Sequence, residues 1–298
     1  MLARLQRTVC LTLGLFAAVW AAACVARGRP GWAGAVALLI VGGFMLLLAL
    51  EFVLLRRVQT AQAAPMPRAD QLVRAWWGEL RTAAAIFFWR QPFRATAEGD
   101  FLPHAPGRRG GVVLVHGLFC NRAFWNPWMR ELRRLDIAFV APTLEPVLGS
   151  IDGYTQTIDA AVTAVQASTG GPIVMVGHSM GGLAIRAWLA QARNAERVHR
   201  VVTIGTPHQG TWMARFGRAS SRGEMALASP WLARLAARET PALRARYTCF
   251  FGHCDNVVFP ASAACLAGAT NVHLAATAHV RMAFDPRVFE AVCRALDQ

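Results

Sequence analysis

The pattern of apolar and polar positions divides this chain into two unlike parts. Residues 8–26 carry no charge, and residues 32–55 carry only Glu51, one turn from the end of that segment, where it can reach an interface. As helices these segments would be about 28 Å and about 36 Å long, and a bilayer core is about 30 Å thick. A short polar turn separates them. The pattern therefore predicts a two-helix transmembrane hairpin within residues 1–58.

A cleaved signal peptide over residues 1–23 is the alternative for the first segment. Arg4 and Arg7 would form its basic region and the alanines at 21–23 its cleavage site. The hairpin is preferred because the second apolar segment follows so closely. More arginines flank the outer ends of the two segments than their connecting turn, which predicts that both ends lie in the cytoplasm. A periplasmic C-terminal domain is the alternative.

Residues 59–107 predict a linker followed by an amphipathic juxtamembrane segment. The linker, up to Asp70, is rich in Ala and Pro, and residues 72–94 interleave aromatic side chains with arginines. Such a helix can lie among lipid headgroups, with its aromatic side towards the apolar core. Equally, its aromatic side chains can pack under the following domain.

From about residue 108 to 298, short apolar runs alternate with helical stretches. The runs that predict strands are residues 111–115, 137–141, 173–176, 200–204, 248–251 and 271–274. The stretches that predict helices lie near residues 122–135, 154–168, 181–193 and 286–296. This alternation is typical of an α/β domain in which helices cover both faces of a mostly parallel sheet.

The alternation stops between residues 211 and 246. Apolar side chains there are mixed with small residues and arginines, which predicts one or two amphipathic cap helices. A cap of this kind would exclude water from a site beneath it and offer an apolar pocket.

One motif indicates a nucleophile. The apolar run at 173–176 leads directly into Gly-His-Ser-Met-Gly at residues 177–181, a strand followed by a sharp turn and a helix. Such a turn presents a serine hydroxyl above the sheet, and Gly177 and Gly181 keep side chains away from it. Ser179 is therefore the candidate nucleophile.

A second motif follows the predicted strand at 111–115, where His116 and Gly117 begin a turn. Acyl transfer requires two backbone N–H donors directed at the developing oxyanion. We assign these donors to Leu118 and Met180, and expect Gly117 to let the backbone approach a substrate closely. His116 is expected to shape the turn rather than to transfer protons.

The acid and the base are expected after the later strands. Asp255 follows the strand at 248–251, and His279 lies on the loop after the last predicted strand. A carboxylate at Asp255 would hold the imidazole of His279 in one tautomer. Asp285 is the poorer acid candidate because, followed by a proline, it is a typical N-cap of the last helix.

Three other histidines flank these positions: His208, His253 and His273. His279 is chosen over them by position, since a loop histidine after the last strand can reach both the serine and the acid.

The charge and the cysteines exclude several other classes. All 31 basic residues are arginine and the net charge is +14, but the arginines are scattered and form no nucleic-acid-reading motif. A basic surface facing anionic lipid accounts for them better. The seven cysteines, an odd number, predict reduced thiols, with Cys249 and Cys254 as one pair that could form if the domain were exported. No metal or cofactor motif is present, so neither is expected.

Three motifs together resemble the α/β-hydrolase superfamily, and within it the bacterial triacylglycerol lipases and related esterases. They are the His-Gly turn at 116–117, the elbow around Ser179, and Gly-Thr-Pro-His-Gln-Gly-Thr at residues 205–211. The resemblance covers roughly residues 108–298. It implies a triad of Ser179, Asp255 and His279, and ester or lipid substrates. Counterparts of the first two strands of the full fold are missing, which predicts a shortened sheet.

Two other functions share this pattern. A thioesterase or an acyltransferase would use the same triad and differ only in the leaving group or in the acceptor. A non-catalytic membrane scaffold on a hydrolase fold is the second alternative, although a binding module has no need of nucleophile, acid and base together.

Overall fold

The computed structural model describes residues 1–103, 110–192, 195–216 and 220–297. Within them, six strands form one parallel sheet in the order β2-β1-β3-β4-β5-β6. The strands are β1 (Gly111–Val115), β2 (Ala138–Val140), β3 (Ile173–His178), β4 (Val198–Ile204), β5 (Tyr247–Phe251) and β6 (Thr270–His273). The structure confirms all six predicted strands, each displaced at its ends by at most one or two residues.

Alternation along the strands places a hydrophobic core on each face of the sheet. In β1, Val113 and Val115 contact one core, whereas Val112 and Leu114 contact the other. Helices α6 (Thr155–Thr169) and α7 (Met180–Leu189) cover the first face, and α5 (Asn126–Arg134) and α12 (Pro286–Leu296) cover the second. This is the two-faced arrangement expected of a parallel sheet.

The β2 edge of the sheet is partly covered by a single antiparallel bridge between Phe101 and Phe139. The two residues exchange backbone hydrogen bonds of 3.0 and 2.8 Å. The bridge satisfies polar groups that an edge strand would otherwise expose.

At the N-terminus, α1 (Leu2–Ala26) and α2 (Ala35–Val58) are joined by a turn that includes a 3₁₀ helix, Pro30–Trp32. By length and composition both helices could cross a membrane, and little of their surface is buried. The indole N–H of Trp20 donates to the carbonyl of Trp32 across the turn, at 2.9 Å. The two apolar helices can therefore form the expected hairpin.

The segment after the linker packs against the α/β domain. It comprises α3 (Ala69–Ala85), a π-helical turn (Ile86–Arg90) and α4 (Gln91–Phe93). Ile86 is fully buried in the core of the second sheet face, whereas Trp77 and Trp89 are exposed. Phe87 also packs against that core, so part of the aromatic side of the segment faces the domain. The headgroup location of the exposed tryptophans stays a prediction.

The helices in the described part of residues 211–246 are short. They are a 3₁₀ helix (Trp212–Phe216), α8 (Ser220–Glu224), α9 (Pro230–Ala237) and α10 (Pro241–Arg244). Leu232 and Leu235 of α9 are buried in the core that α7 also lines. This packing fixes the segment to the domain. The remaining helix, α11 (His279–Met282), precedes α12.

Candidate active site

Ser179 lies at the junction of β3 and α7 in a strained conformation. Its φ is 55° and its ψ is −128°, a combination that non-glycine residues rarely adopt. The backbone N–H of Ser179 donates to the carbonyl of Ile204 at 2.9 Å, which ties the turn to the adjacent strand β4. The surrounding structure thus holds the serine at the top of the sheet.

The glycines beside Ser179 are required by close contact. A Cβ atom at Gly177 would lie 2.6 Å from the Gly182 Cα, and one at Gly181 would lie 2.4 Å from the Val115 carbonyl oxygen. Real Cβ atoms essentially never approach this closely. The sequence prediction that these positions keep side chains away from the elbow matches this geometry.

The turn after β1 approaches the elbow equally closely. A Cβ atom at Gly117 would lie 2.9 Å from the Ser179 Cβ. In the described part of the chain, the backbone N–H groups of Leu118 and Met180 have no hydrogen-bond acceptor. Met180 follows the serine and Leu118 follows Gly117 in the chain, and their role as oxyanion donors stays a prediction.

His279 and Asp255 form a buried pair. The Nδ1 of His279 lies 2.9 Å from Oδ2 of Asp255. The other carboxylate oxygen accepts backbone N–H bonds from Val257 and Val258, at 2.9 and 2.8 Å. With every acceptor engaged, the carboxylate is fixed in position, and His279 must present Nδ1–H to it, leaving Nε2 to accept a proton.

Burial alone would lower the pKa of His279, but nearby carboxylates reverse this effect. The charge and hydrogen bond of Asp255 raise the pKa, Glu79 and Glu51 add to the increase, and the net shift is upward. The imidazole therefore takes up a proton more readily than a free histidine.

The structure brings the three candidate residues to one edge of the sheet but hydrogen-bonds only two of them. Among the hydrogen bonds of the described residues, none joins the Ser179 hydroxyl to His279. Free enzymes often show such a contact long or poorly aligned until substrate binds. The residue before the serine, His178, does contact His279, with 4.6 Å between the centroids of the two rings.

His178 was missed by the sequence analysis as a contributor to the site. Its Nε2 lies 3.2 Å from the His279 carbonyl oxygen, and its ring stacks on Phe124 at 4.6 Å between centroids. Burial, followed by the charge of His279, lowers the pKa of His178 well below its usual range. It therefore stays neutral and donates to the His279 backbone. His178 occupies a position of the Gly-x-Ser-x-Gly motif that accepts any residue, so the sequence gives no signal for this role.

Glu79, Asn256 and Glu51 were also missed as neighbours of His279. The Glu79 carboxylate accepts from the backbone N–H of Val280 at 2.9 Å, and Asn256 Oδ1 accepts from that of His279 at 3.2 Å. Glu51 accepts from the Asn256 amide at 2.6 Å. The sequence analysis placed Glu51 near an interface, whereas the structure turns it towards the domain.

His116 shapes the turn after β1, as expected. Its Nε2 accepts from the Leu144 backbone N–H at 3.0 Å, so the proton sits on Nδ1, which lies 2.9 Å from the Gly117 carbonyl oxygen. Burial lowers the pKa of His116 to about 4, outweighing the opposing hydrogen bond to Gly117. A neutral histidine with both nitrogens engaged is not a proton carrier.

His208, His253, His273 and Asp285 also have structural partners. His208 Nε2 lies 2.9 Å from the Thr203 hydroxyl, and His253 Nδ1 lies 2.7 Å from His273 Nε2. Asp285 accepts from the backbone N–H of Arg287 at 3.0 Å, the N-cap contact predicted for it. None of these groups contacts the Asp255–His279 pair.

The cysteines are free thiols, Cys249 and Cys254 included. Burial raises the pKa of each of these two thiols to about 12, so neither is a thiolate nucleophile near neutral pH. Over the described ranges, no three His, Cys, Asp or Glu side chains lie close enough together to hold a metal ion.

A strained serine between a central parallel strand and a helix, with a buried His–Asp pair at the same sheet edge, defines an α/β protein of the nucleophile-elbow class. The chain belongs to the alpha/beta hydrolase family, whose sequence profile matches residues 112–295. A comparison with curated protein sequences gave no match.

Solved structures similar to this chain include two lipases and an esterase. The mature lipase BlEst2 of Bacillus licheniformis is 18% identical, with a TM-score of 0.57 over 66% of this chain and 96% of that one. Lipase B of Aspergillus fumigatus is 18% identical, with a TM-score of 0.56 over 64% of this chain and 53% of that one. The metagenomic carboxyl esterase MGS0156 is 15% identical, with a TM-score of 0.52 over 64% and 76%. At these identities the likeness establishes the fold.

Proposed function

We propose that this protein is a membrane-anchored serine hydrolase that cleaves carboxylic esters through Ser179, His279 and Asp255. The observation that carries the proposal is the 2.9 Å contact between His279 Nδ1 and Asp255 Oδ2, buried beside a strained serine. A histidine oriented by a carboxylate is the arrangement that activates a serine hydroxyl.

In the proposed reaction, His279 Nε2 takes the proton of Ser179 as the hydroxyl attacks the ester carbonyl. The backbone N–H groups of Leu118 and Met180 stabilise the tetrahedral oxyanion. His279 then protonates the leaving alkoxide, which departs and leaves an acyl-serine. A water molecule, deprotonated by His279, releases the carboxylic acid and restores the hydroxyl.

A lipid-like ester is the proposed substrate class. Phe119, next to the proposed oxyanion donor Leu118, is exposed, and its carbonyl accepts from the Gln6 amide of α1 at 3.4 Å. The proposed oxyanion turn therefore lies against the N-terminal apolar helices. This contact favours a substrate that approaches from the bilayer surface. The lipases among the proteins of similar fold also support a lipid-like substrate.

We further propose that the hairpin spans the bacterial inner membrane with the α/β domain in the cytoplasm. The Met1 amino group pairs with Glu145 at 2.6 Å, and Gln59, after α2, accepts from the Ala261 N–H at 2.9 Å. Both outer ends of the hairpin thus lie on the domain side, where most of the flanking arginines also lie. A C-terminal reporter active only in the cytoplasm should be active, and a periplasm-specific reporter active there would refute this orientation.

The test is ester turnover by the full chain in detergent micelles. The proposal predicts hydrolysis of long-chain p-nitrophenyl esters in micelles, with turnover lost in Ser179→Ala. Cleavage of short soluble esters alone would refute the lipid-like substrate, and equal turnover by Ser179→Ala would refute the mechanism. Faster cleavage of thioesters, or transfer to an added alcohol in preference to water, would favour a thioesterase or an acyltransferase.

A further inference from the structure

Glu79 of α3 is a buried carboxylate, and its hydrogen-bond partners among the described residues all lie in the first turn of α11. Its side chain is 1% exposed. It accepts from the Val280 N–H at 2.9 and 3.1 Å and from the Arg281 N–H at 3.0 Å. The first N–H groups of a helix have no intrahelical acceptor, so Glu79 supplies one from a distant part of the chain.

Glu51 of α2 contributes to the same turn through Asn256. Its Oε2 accepts from the Asn256 amide at 2.6 Å, and Asn256 Oδ1 accepts from the His279 N–H at 3.2 Å. The first three backbone N–H groups of α11 therefore all have acceptors that depend on α2 or α3. Glu79 of α3 is itself the acceptor for two of them, and Glu51 of α2 holds Asn256, the acceptor for the third. His279 is the first of the three residues.

The docking of α2 and α3 on the domain does not by itself require buried carboxylates at these positions. Phe52 and Leu55 of α2 already pack in an apolar cluster with Phe259, and burying apolar area is sufficient to dock a helix. A buried charge costs free energy unless it is hydrogen-bonded, and an apolar residue would avoid that cost. Instead, Glu79 directly and Glu51 through Asn256 hold the turn that begins with His279, whose imidazole must be held accurately.

We infer that Glu79 and Glu51 are positioning residues for His279. Helices α2 and α3 then form part of the catalytic apparatus, and α2 is not a separable anchor. This inference rests on the proposed ester hydrolysis. Neither carboxylate touches the substrate or the reacting atoms. Each acts by fixing the backbone from which the imidazole projects towards Ser179.

The test compares Glu79→Gln with two controls on the same helix. Asp70→Asn removes an exposed carboxylate of α3, and Ala84→Gly weakens α3 at a half-buried position outside the apolar cluster that includes Ala278. Glutamine keeps the shape of the side chain but loses the charge and one acceptor oxygen. The full chain is assayed in detergent for kcat and KM on a micellar p-nitrophenyl ester, together with thermal unfolding.

Glu79→Gln should lower kcat by about 10-fold to 100-fold at nearly unchanged KM, because a small displacement of a catalytic group is costly. Asp70→Asn and Ala84→Gly should keep kcat, even where Ala84→Gly unfolds at a lower temperature. The groups facing His279 are Asp255, His178, Glu79 and Glu51. Burial raises the pKa of Glu79 to about 7, so this carboxylate is charged mainly above that pH. Loss of that charge in Glu79→Gln should also move the acid limb of kcat/KM to lower pH, which a purely structural defect would not do.

Glu51→Leu provides the second arm should Glu79→Gln fail to fold. Leucine suits an apolar helix but breaks the contact with Asn256, so kcat should fall while membrane insertion persists. Unchanged kcat in folded Glu79→Gln or in Glu51→Leu would overturn the inference. That result differs from failure of the proposed function, in which the wild-type protein itself would show no turnover dependent on Ser179.

Discussion

Asp255 uses both carboxylate oxygens, one on His279 and the other on two backbone N–H groups of its own loop. The loop therefore fixes the carboxylate, and the carboxylate fixes the tautomer of the imidazole. A neutral amide at this position could instead donate to Nδ1, which would place the ring proton on Nε2. The nitrogen that must accept the serine proton would then already carry one.

Asp255→Asn should accordingly reduce kcat by about 10⁴-fold while the protein stays folded. Steady-state ester hydrolysis measures this change. Asp285→Asn is the matched control, since asparagine caps a helix as well as aspartate, and it should change kcat little. Equal losses in the two variants would contradict the role of Asp255.

The raised pKa of His279 predicts the pH dependence of the reaction. A general base must be neutral, so kcat/KM should fall as pH drops through the pKa of the folded protein, with the acid limb centred above 6.5. The same shift stabilises the folded state below about 6.5, and this stability is lost as pH rises through the folded pKa. Measurements of kcat/KM and of the free energy of unfolding between pH 5 and 9 test both predicted directions. An acid limb centred below 6.5 would contradict the account.

Among the elements, parallel strand order brings the distant parts of the site together. The parallel strands β1, β3 and β5 end at the same carboxyl edge of the sheet, so Leu118, Ser179 and Asp255, which follow these strands, lie at that edge. A buried ion pair then ties α7, the helix that follows the elbow, to the segment after α9. Arg186 donates to both oxygens of Glu239 at 2.7 and 2.8 Å, and both side chains are almost fully buried.

Glu239→Gln should destabilise the protein by about 3–5 kcal/mol, because it leaves the buried Arg186 charge without its counter-ion. Chemical denaturation in detergent measures the change in the free energy of unfolding. Glu131→Gln breaks the exposed pair with Arg134 and should cost at most about 1 kcal/mol. Comparable losses of unfolding free energy in the two variants would contradict the prediction that the buried Arg186–Glu239 pair matters more for stability than the exposed pair.

Local pattern was enough to predict the strands and the elbow, and position after a strand was enough to select Asp255 and His279, which the structure pairs although His279 begins α11 rather than lying on a loop. Each of these depends on periodicity or turn chemistry within a few residues, as with Gly177 and Gly181. The contacts of Glu79 with Val280 and of Glu51 with Asn256 span 201 and 205 residues. No local pattern encodes such pairings, since they depend on how the N-terminal helices dock on the domain.

Taken as one molecule, the chain places its candidate site beside two apolar helices. Contacts at the start of α1 and at the end of α2 hold the domain close to the hairpin. If the hairpin spans a bilayer, the candidate site lies at the membrane surface, where a lipid-like ester would be concentrated.

The anchor can be tested by alkaline carbonate extraction of membranes. The wild-type chain should remain in the membrane pellet, and Leu47→Arg, which places a charge near the middle of α2, should increase extraction because it costs about 2.5–3.5 kcal/mol of insertion. Leu148→Arg is the control, since Leu148 is comparably exposed but belongs to the α/β domain. Complete extraction of the wild-type chain would contradict membrane anchoring.

The central claim is that one serine is activated by one buried histidine–aspartate pair, and covalent labelling tests it most directly. The full chain is treated with a fluorophosphonate probe and the adduct is mapped by tandem mass spectrometry. The account predicts a single adduct on Ser179 of the wild-type protein, absent from Ser179→Ala and strongly slowed in His279→Ala. An adduct on another residue, or equally fast labelling of Ser179 without His279, would contradict it.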